Sequence, residues 1–355
     1  MHLPASAVLC DVAIVGAGPA GCTTARLLSL WGFNVIVIDS EKKKTYKFHE
    51  VLPPSSLPLL DALELQSLFK SDPRVATPCS GVTSNWYQNE TYYDDYFASP
   101  GGSAWVVERI FFDQQLKNIA TYNGVTFLND SFIQDIVFVD GVWELNTNNK
   151  SIQAPFVIDA SGRASVLSRN LGAKKLIGAS MVAGGVSIPR SSDIEMRSGR
   201  LSIKTSSSGW GYSLMNGLGE LNLVAVSTSK RLTKKDYFNE TLLSLFPEYE
   251  DTLLSRLKHD QSSLKRVDAS SSILDSVVGD AWLAIGDAAT AFDPITSQGL
   301  VNALSSAMMG AHACREFLAG NPLGLLAYNK AIQATWQRSE KGRAYLYGMQ
   351  TEQLP

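Results

Sequence analysis

Two groups of residues in this chain have types and spacings that could do chemistry. The first is the run Gly16-Ala17-Gly18-Pro19-Ala20-Gly21, with Asp39 about 20 residues further on. Gly16 suits a tight turn, Gly18 lets a pyrophosphate approach the backbone, and Gly21 lets a helix pack close to a strand. Pro19 and Ala20 open that helix, whose free N–H groups face the phosphates. Asp39 stands where an acid accepts a hydrogen bond from an adenosine ribose hydroxyl. The second group is His49 and Glu50, which can take or give a proton near neutral pH when their surroundings shift them.

Elements must position these residues. Asp11-Val12-Ala13-Ile14-Val15 reads as a buried parallel strand, Pro19 to Leu30 as a helix stopped by Gly32, and Asn34 to Ile38 as a second strand ending at Asp39. A glycine motif set between strand and helix, with the acid in place, indicates a bound dinucleotide. The motif by itself leaves FAD and NAD open, although its place near residue 11 suits FAD.

The 355 residues allow two domains or one large composite, and an apolar content of 45% supports a sizeable core. A net charge of −3 and the lack of basic blocks beyond Lys42 to Lys44 argue against nucleic acid. That lysine run reads as a solvated loop. No apolar run reaches the ~18 residues of a membrane span, no signal peptide is evident, and the cytoplasm is the default compartment. The four cysteines, Cys10, Cys22, Cys79 and Cys314, form no C-x-x-C pair, so neither a metal site nor a disulfide framework is expected. Cys22 reads as a packing residue, although its place at a helix start could lower its pKa.

Further along, residues 49–56 read as an extended loop, followed by a helix from Leu57 to Leu68 capped by Ser55 or Ser56. Gly81 to Ala98 reads as a hairpin rich in aromatics, among them Trp86, Tyr92 and Tyr93, which form either a packed sheet face or the wall of an aromatic pocket. A turn at Pro100-Gly101-Gly102 and a helix after Arg109 follow. The strand Phe156 to Ile158 runs into Asp159-Ala160-Ser161-Gly162. From Leu176 to about Asp275, alternating segments predict an antiparallel sheet interrupted by a helical piece from Lys234 to Leu257. The strand Ala281 to Ile285 then leads to Gly286-Asp287, a long helix starts near Ser297, and a final helix begins near Leu323.

Three segments in this order, Gly16 to Gly21, Asp159 to Arg169, and Gly286 to Gly299, resemble the FAD-dependent hydroxylase fold of aromatic hydroxylases and flavin halogenases. A fourth, Ser84-x-Trp86 through Trp105 and Arg109-x-x-Phe112-Asp113, is similar to the tryptophan-halogenase superfamily. The resemblance implies an α/β fold: a discontinuous Rossmann-type FAD-binding domain over residues 1–175 and 276–320, with the 81–100 hairpin joining the substrate side. An antiparallel substrate domain is inserted over 176–275, and a C-terminal helix covers 321–355. It also implies that Asp159 and Gly162 belong to the cofactor site, that Gly286 and Asp287 hold the ribityl chain, and that the amides near Gln298 and Gly299 face the flavin N1/O2 edge. Reduced flavin carries negative charge there, which a helix N-terminus stabilises. Pro294 would lie near the reacting edge. Arg109 would lie against the flavin, and it can also pair with Asp113 at i,i+4.

Halogenases of this superfamily carry a Trp-x-Trp-x-Ile-Pro stretch and a lysine downstream of the proline loop. This chain has Gly209-Trp210-Gly211-Tyr212 instead, and no lysine between Lys70 and Lys117. The remaining resemblance is to flavoproteins that modify tryptophan in a partner protein, such as maturases of cysteine tryptophylquinone oxidases. The implied activity is an FAD-dependent monooxygenase that takes O2 and an electron-rich aromatic substrate, best a Trp of a precursor protein. Rival readings are a small-molecule monooxygenase or halogenase, a lipid or prenyl reductase, and a non-catalytic flavin-binding chaperone.

Overall fold

The computed structural model describes residues 7–40, 47–86, 90–96, 104–189, 199–228, 235–259 and 265–351. The lysine run 42–44 and the turn at 100–102 lie outside the described residues.

Four β-branched or small, buried residues, Val12–Val15, start the central sheet. Its six strands run in the order Val278–Gly279, Trp282–Ala284, Phe156–Asp159, Val12–Val15, Val35–Ile38 and Thr126–Leu128. All neighbours pair in parallel except the first two. Both faces of such a sheet are covered, which is why these strands read as unbroken apolar runs. The helices Pro19–Leu30 and Gly299–Leu318 pack on each other beside it. The parallel register aligns Val15, Ile38 and Asp159, so the loops after three strands emerge at one edge. This is the edge where open α/β sheets hold ligands.

A second sheet of seven strands stands apart from the first. Its order is Lys265–Asp268, Met181–Pro189, Glu220–Thr228, Gly209–Met215, Arg200–Ser206, Gly81–Asn85 and Tyr92–Asp95. Strands from residues 81–95 thus extend a sheet otherwise built from residues 181–268, joined by the parallel pairing of Arg200 to Lys204 with Gly81 to Asn85. The period-2 pattern divides its two faces. Leu221, Leu223 and Ala225 pack against the outer helix Lys235–Leu245, while Val224 and Val226 face inward on Trp86, Trp210 and Phe48.

Several local expectations are corrected. The predicted extended loop at 49–56 contains a strand, Glu50–Leu52, paired with Ala104–Val107. The predicted helix 57–68 is two helices, Leu57–Ala62 and Gln66–Ser71, because Glu64 between them adopts φ 53°. Neither serine caps it through its side chain; the Ser56 hydroxyl donates back to the Pro53 carbonyl. The helical piece 234–257 breaks at Pro247 into Lys235–Leu245 and Glu250–His259, since proline has no N–H to continue the ladder. The long helix starts at Gly299 rather than Ser297, whose φ of 48° is left-handed.

Candidate functional site

Gly16 turns the chain with φ 108°, and a Cβ there would stand 2.3 Å from the Ala160 carbonyl oxygen. A Cβ on Gly21 would stand 2.0 Å from the Gly16 oxygen, so only glycine lets the helix start this close to its strand. At Gly18 the situation is opposite: a Cβ would meet nothing within 4 Å. That glycine borders open space. Gly18 is the N-cap, Pro19 is the first helical residue, and no side chain caps the helix. The amides of Ala20 and Gly21 therefore face this space without an intrahelical partner. Asp39 lies at the same sheet edge, where its backbone N–H donates to the Leu128 carbonyl at 3.0 Å. No partner for its carboxylate occurs among the described residues.

The middle motif presses against this turn. Asp159 is fully buried and accepts four hydrogen bonds: from the Ser161 N–H (3.0 Å) and hydroxyl (2.6 Å), and from the Ser168 N–H and hydroxyl (both 2.7 Å). Its carboxylate is committed within its own loop, so its effect on a ligand runs through the turn it holds. Gly162 follows at φ 66°, and a Cβ there would meet nothing within 4 Å. The Ser165 hydroxyl donates to the Ala288 carbonyl at 2.9 Å and ties this motif to the third.

Gly286 takes φ 57°, and its N–H donates to the Ser306 hydroxyl at 2.8 Å. A Cβ on it would lie 2.9 Å from the methyl of Ala20, so the Gly286-Asp287 turn touches the start of the first helix. Asp287 faces Arg163, whose Nε is 3.4 Å from its Oδ2. Burial raises the Asp287 pKa and Glu50 adds to the rise, against the pull of Arg163. Gln298 caps the Gly299–Leu318 helix without a side-chain bond, which leaves that helix start exposed. A methyl on Gly299 would meet only Glu50 Oε2, at 4.0 Å. The Glu50 carboxylate also pairs with Arg109, which holds Asp113 at 3.1 Å. Burial disfavours the Arg109 charge, but Glu50 and Asp113 outweigh it and raise its pKa.

His49 is 1% exposed and points into a different surrounding from Glu50. Its Nδ1 lies 2.9 Å from Glu108 Oε2, and its Nε2 lies 3.7 Å from Glu220 Oε2. Neither nitrogen has the direction of a proper hydrogen bond. The ring thus lies between the two carboxylates without a direct hydrogen bond to either. The three groups lie close enough to hold a cation. However, the ring turns a different nitrogen to each carboxylate, whereas one metal ion would need a single nitrogen facing both.

Sequence reasoning missed Glu108, Glu220, Asp293 and Tyr347. Glu108 carried one signal, its place just before a helix, where its side chain accepts from the Ile110 N–H. Asp293 precedes Pro294 and caps the turn Pro294–Thr296 through the Ile295 N–H at 3.0 Å. Its second oxygen accepts from the Tyr347 hydroxyl at 3.1 Å. Cys22 also differs from expectation: burial pushes its thiol up to about 12, and the helix start does not offset that.

The residues present fit a bound FAD: an open glycine cradle, a free acid at the ribose position, and a second uncapped helix start beside Asp287. The family model for the FAD binding domain matches residues 9–339. This chain belongs to the FAD binding domain family. The α/β fold and the FAD cofactor expected from the sequence follow from that membership, as does FAD-dependent oxidoreductase activity. Within the FAD binding domain family, the chain is similar to LodB of Marinomonas mediterranea, described as an FAD-dependent oxidoreductase. The two are 26% identical over 95% of this chain and 92% of that protein. It is also 26% identical to a tryptophan 2-halogenase of Chondromyces crocatus, over 90% of this chain but 63% of the longer halogenase. Among solved structures, the flavin-dependent halogenase CmlS superposes with TM-score 0.81 at 21% identity, over 98% of this chain and 66% of CmlS. The peptidyl tryptophan dihydroxylase QhpG, essential for tryptophylquinone cofactor biogenesis, superposes with TM-score 0.74 at 19% identity, over 97% and 76%. Among the described residues no helix is long and apolar enough to cross a membrane.

Proposed function

We propose that this flavoenzyme is a monooxygenase that oxygenates an electron-rich aromatic ring, best a tryptophan side chain of a partner protein during maturation of a quinone cofactor. The observation that carries this reading is the aromatic wall of Phe48, Trp86 and Trp210, which packs with Ile295 of the Pro294 turn. An indole or phenol ring finds stacking and edge partners there. The near-complete mutual coverage with LodB supports an FAD-dependent oxidoreductase, and the role of QhpG in tryptophylquinone biogenesis supports the partner-protein substrate.

In this reading Gly16, Gly18, Pro19, Ala20 and Gly21 hold the pyrophosphate, and Asp39 the ribose. Asp159 and Gly162 shape the neighbouring loop. Gly286 and Asp287 hold the ribityl chain, and the Gln298 and Gly299 amides meet the flavin ring. When bound and reduced by an external electron donor, FAD would supply the two electrons and the site of O2 activation. Pro294 walls the reacting edge against water. The Glu50–Arg109 pair, beside the Gly299 helix start, keeps a cation and a proton-accepting carboxylate at that edge. His49 acts one step behind, holding Glu108 and Glu220 in place. O2 and an aromatic group are thus the co-substrates.

A test is to load the protein with FAD, supply a reductant and air, and add tryptophan peptides with and without bromide. Mass gain by one or two oxygen atoms on the indole is the expected result. Bromine on the ring would move the assignment to halogenation. Reduced substrate double bonds, or precursor binding without turnover, would move it to the reductase or chaperone reading.

A further inference from the structure

The donors and acceptors of the aromatic wall end on the chain's own last helix, Leu323–Thr351. The Trp86 indole N–H donates to the Leu346 carbonyl at 2.9 Å. The Trp210 indole N–H donates to the Tyr347 hydroxyl at 2.9 Å, and that hydroxyl donates to Asp293 at 3.1 Å. The Tyr347 ring stands edge-on to Trp86, with centroids 6.2 Å apart and planes at 73°. A phenol thus sits where a ring with a polar N–H or O–H would be received: aromatic edges on one side, a donor and an acceptor at its tip. Asp293 caps the turn that carries Pro294, the residue at the reacting edge in the proposed function.

The helix that delivers this ring is held there through Leu346 and Tyr347, while its outer face is open. Lys341, Gly342, Ala344, Tyr345 and Gly348 are exposed, while Leu346 and Tyr347 are partly covered. Gly342 and Gly348 flank the inserted turn, and a methyl on either would meet nothing within 4 Å. Packing therefore does not require glycine at either place, yet each weakens a helix by about 1 kcal/mol relative to alanine. The two glycines therefore lower the cost of opening this segment.

We propose that the box of Phe48, Trp86, Trp210 and Asp293 is the subsite for the substrate's aromatic ring, and that Tyr347 fills it as a removable stand-in. The inference rests on the reading of the site as one for an aromatic substrate. An incoming ring displaces the last turns of the helix, and the box stays closed to water until then. An indole N–H can replace the Tyr347 hydroxyl as donor to Asp293.

The experiment uses the full-length, FAD-loaded protein and N-acetyltryptophanamide, with binding followed by equilibrium dialysis. Tyr347→Ala should bind the probe roughly tenfold more tightly than wild type, as for a site that is closed about nine-tenths of the time and becomes fully open. Tyr347→Phe, which keeps the ring and loses both hydrogen bonds, should fall between. Binding to Tyr347→Ala that is no tighter than wild type overturns the proposal. Should the alanine variant unfold, hydrogen exchange on wild type decides: saturating probe should speed exchange around residues 343–348, and unchanged or slowed exchange overturns the proposal. Probe that binds as expected but is never oxygenated counts against the proposed chemistry and leaves the subsite standing. Oxygenation of a tryptophan peptide with binding indifferent to Tyr347 does the reverse.

Discussion

The glycine cradle and the aromatic box lie in one molecule and are built on opposite plans. In the cradle, the atoms offered to a ligand are backbone amides from a six-residue run, and the side chains matter mainly by being absent at Gly16, Gly18 and Gly21. In the box, the atoms are side chains of Phe48, Trp86, Trp210, Asp293 and Tyr347, drawn from five separate stretches and joined only by the fold. A cofactor common to many enzymes is met by backbone, which every sequence can present. In the proposed reading a particular substrate is met by side chains, which this chain must bring from far apart. Chemical change at one region should therefore read out in flavin binding, and at the other in substrate access.

The largest effect tests the cradle. Gly21→Val forces a side chain into the Gly16 carbonyl, 2.0 Å from its Cβ, and FAD affinity should fall roughly a thousandfold, about 4 kcal/mol. Gly18→Ala is the sharper probe. Gly18 has ordinary extended geometry (φ −76°, ψ −177°) and open space, so the flavin-free protein should keep its stability to within about 0.5 kcal/mol. The added methyl still borders the space reserved for phosphate, so FAD titration should show a loss of at least roughly tenfold. Wild-type flavin affinity in Gly18→Ala would break the assignment of the cradle.

The next effect lies between the regions. His49→Leu removes the buried ring that faces both Glu108 and Glu220, leaving Glu108 with its carboxylate buried and less well compensated. Removing one partner of a buried pair costs about 3 kcal/mol, which urea unfolding would register. The double variant with Glu108→Gln should recover much of that loss. A loss below about 1 kcal/mol would mean the cluster adds little to the link between the Glu50 strand and the large sheet.

The contrast explains what could be read from the sequence. The turns at Gly16 to Gly21, Asp159 to Gly162 and Gly286-Asp287 were legible because each motif is contiguous and follows a strand, so local pattern and backbone geometry coincide. The seven-stranded sheet was legible as alternating segments. The break at Glu64 was not, because it depends on a left-handed backbone at a residue type that does not favour one. The strand at Glu50 was hidden by its shortness and by two following prolines. The aromatic hairpin posed a choice between packing and pocket wall, and Trp86 is packed: it lies against Trp210 and bonds the C-terminal helix. Tyr347 had no local signal, since its partners lie 54 and 137 residues away.

Asp287 provides a pH test with a defined sign. Its folded pKa is raised, chiefly by burial, so ionising it disfavours the flavin-free fold. A raised acid contributes stability that is complete below its unfolded pKa, near 3.9, and is lost as pH rises through the folded value. Asp287→Asn has no such loss. The variant's melting temperature should therefore exceed that of wild type at neutral pH, and the gap should close as pH falls toward about 4. Its FAD affinity should drop. A gap that is constant with pH would show that the Asp287 charge is fully compensated by Arg163, 3.4 Å away.

The smallest effect bears on the box. Trp210→Phe keeps an aromatic ring beside Trp86 but deletes the indole N–H that donates to the Tyr347 hydroxyl. One hydrogen bond of this kind contributes about 1 kcal/mol, so opening of the last helical turns becomes roughly fivefold more frequent, beyond the global cost of the buried ring volume lost at Trp210. Hydrogen exchange near Leu346 is the readout, because unfolding curves average over the whole chain. The Tyr347 hydroxyl keeps Asp293 as its acceptor in this variant, so the loosening should stay smaller than in Tyr347→Phe, which loses both bonds at once. That ordering separates two kinds of contact. A box that served only as packing would respond to lost ring volume and be blind to which polar atom is deleted. A box built to receive a polar-tipped ring must respond to the atoms at the tip, in proportion to how many are removed.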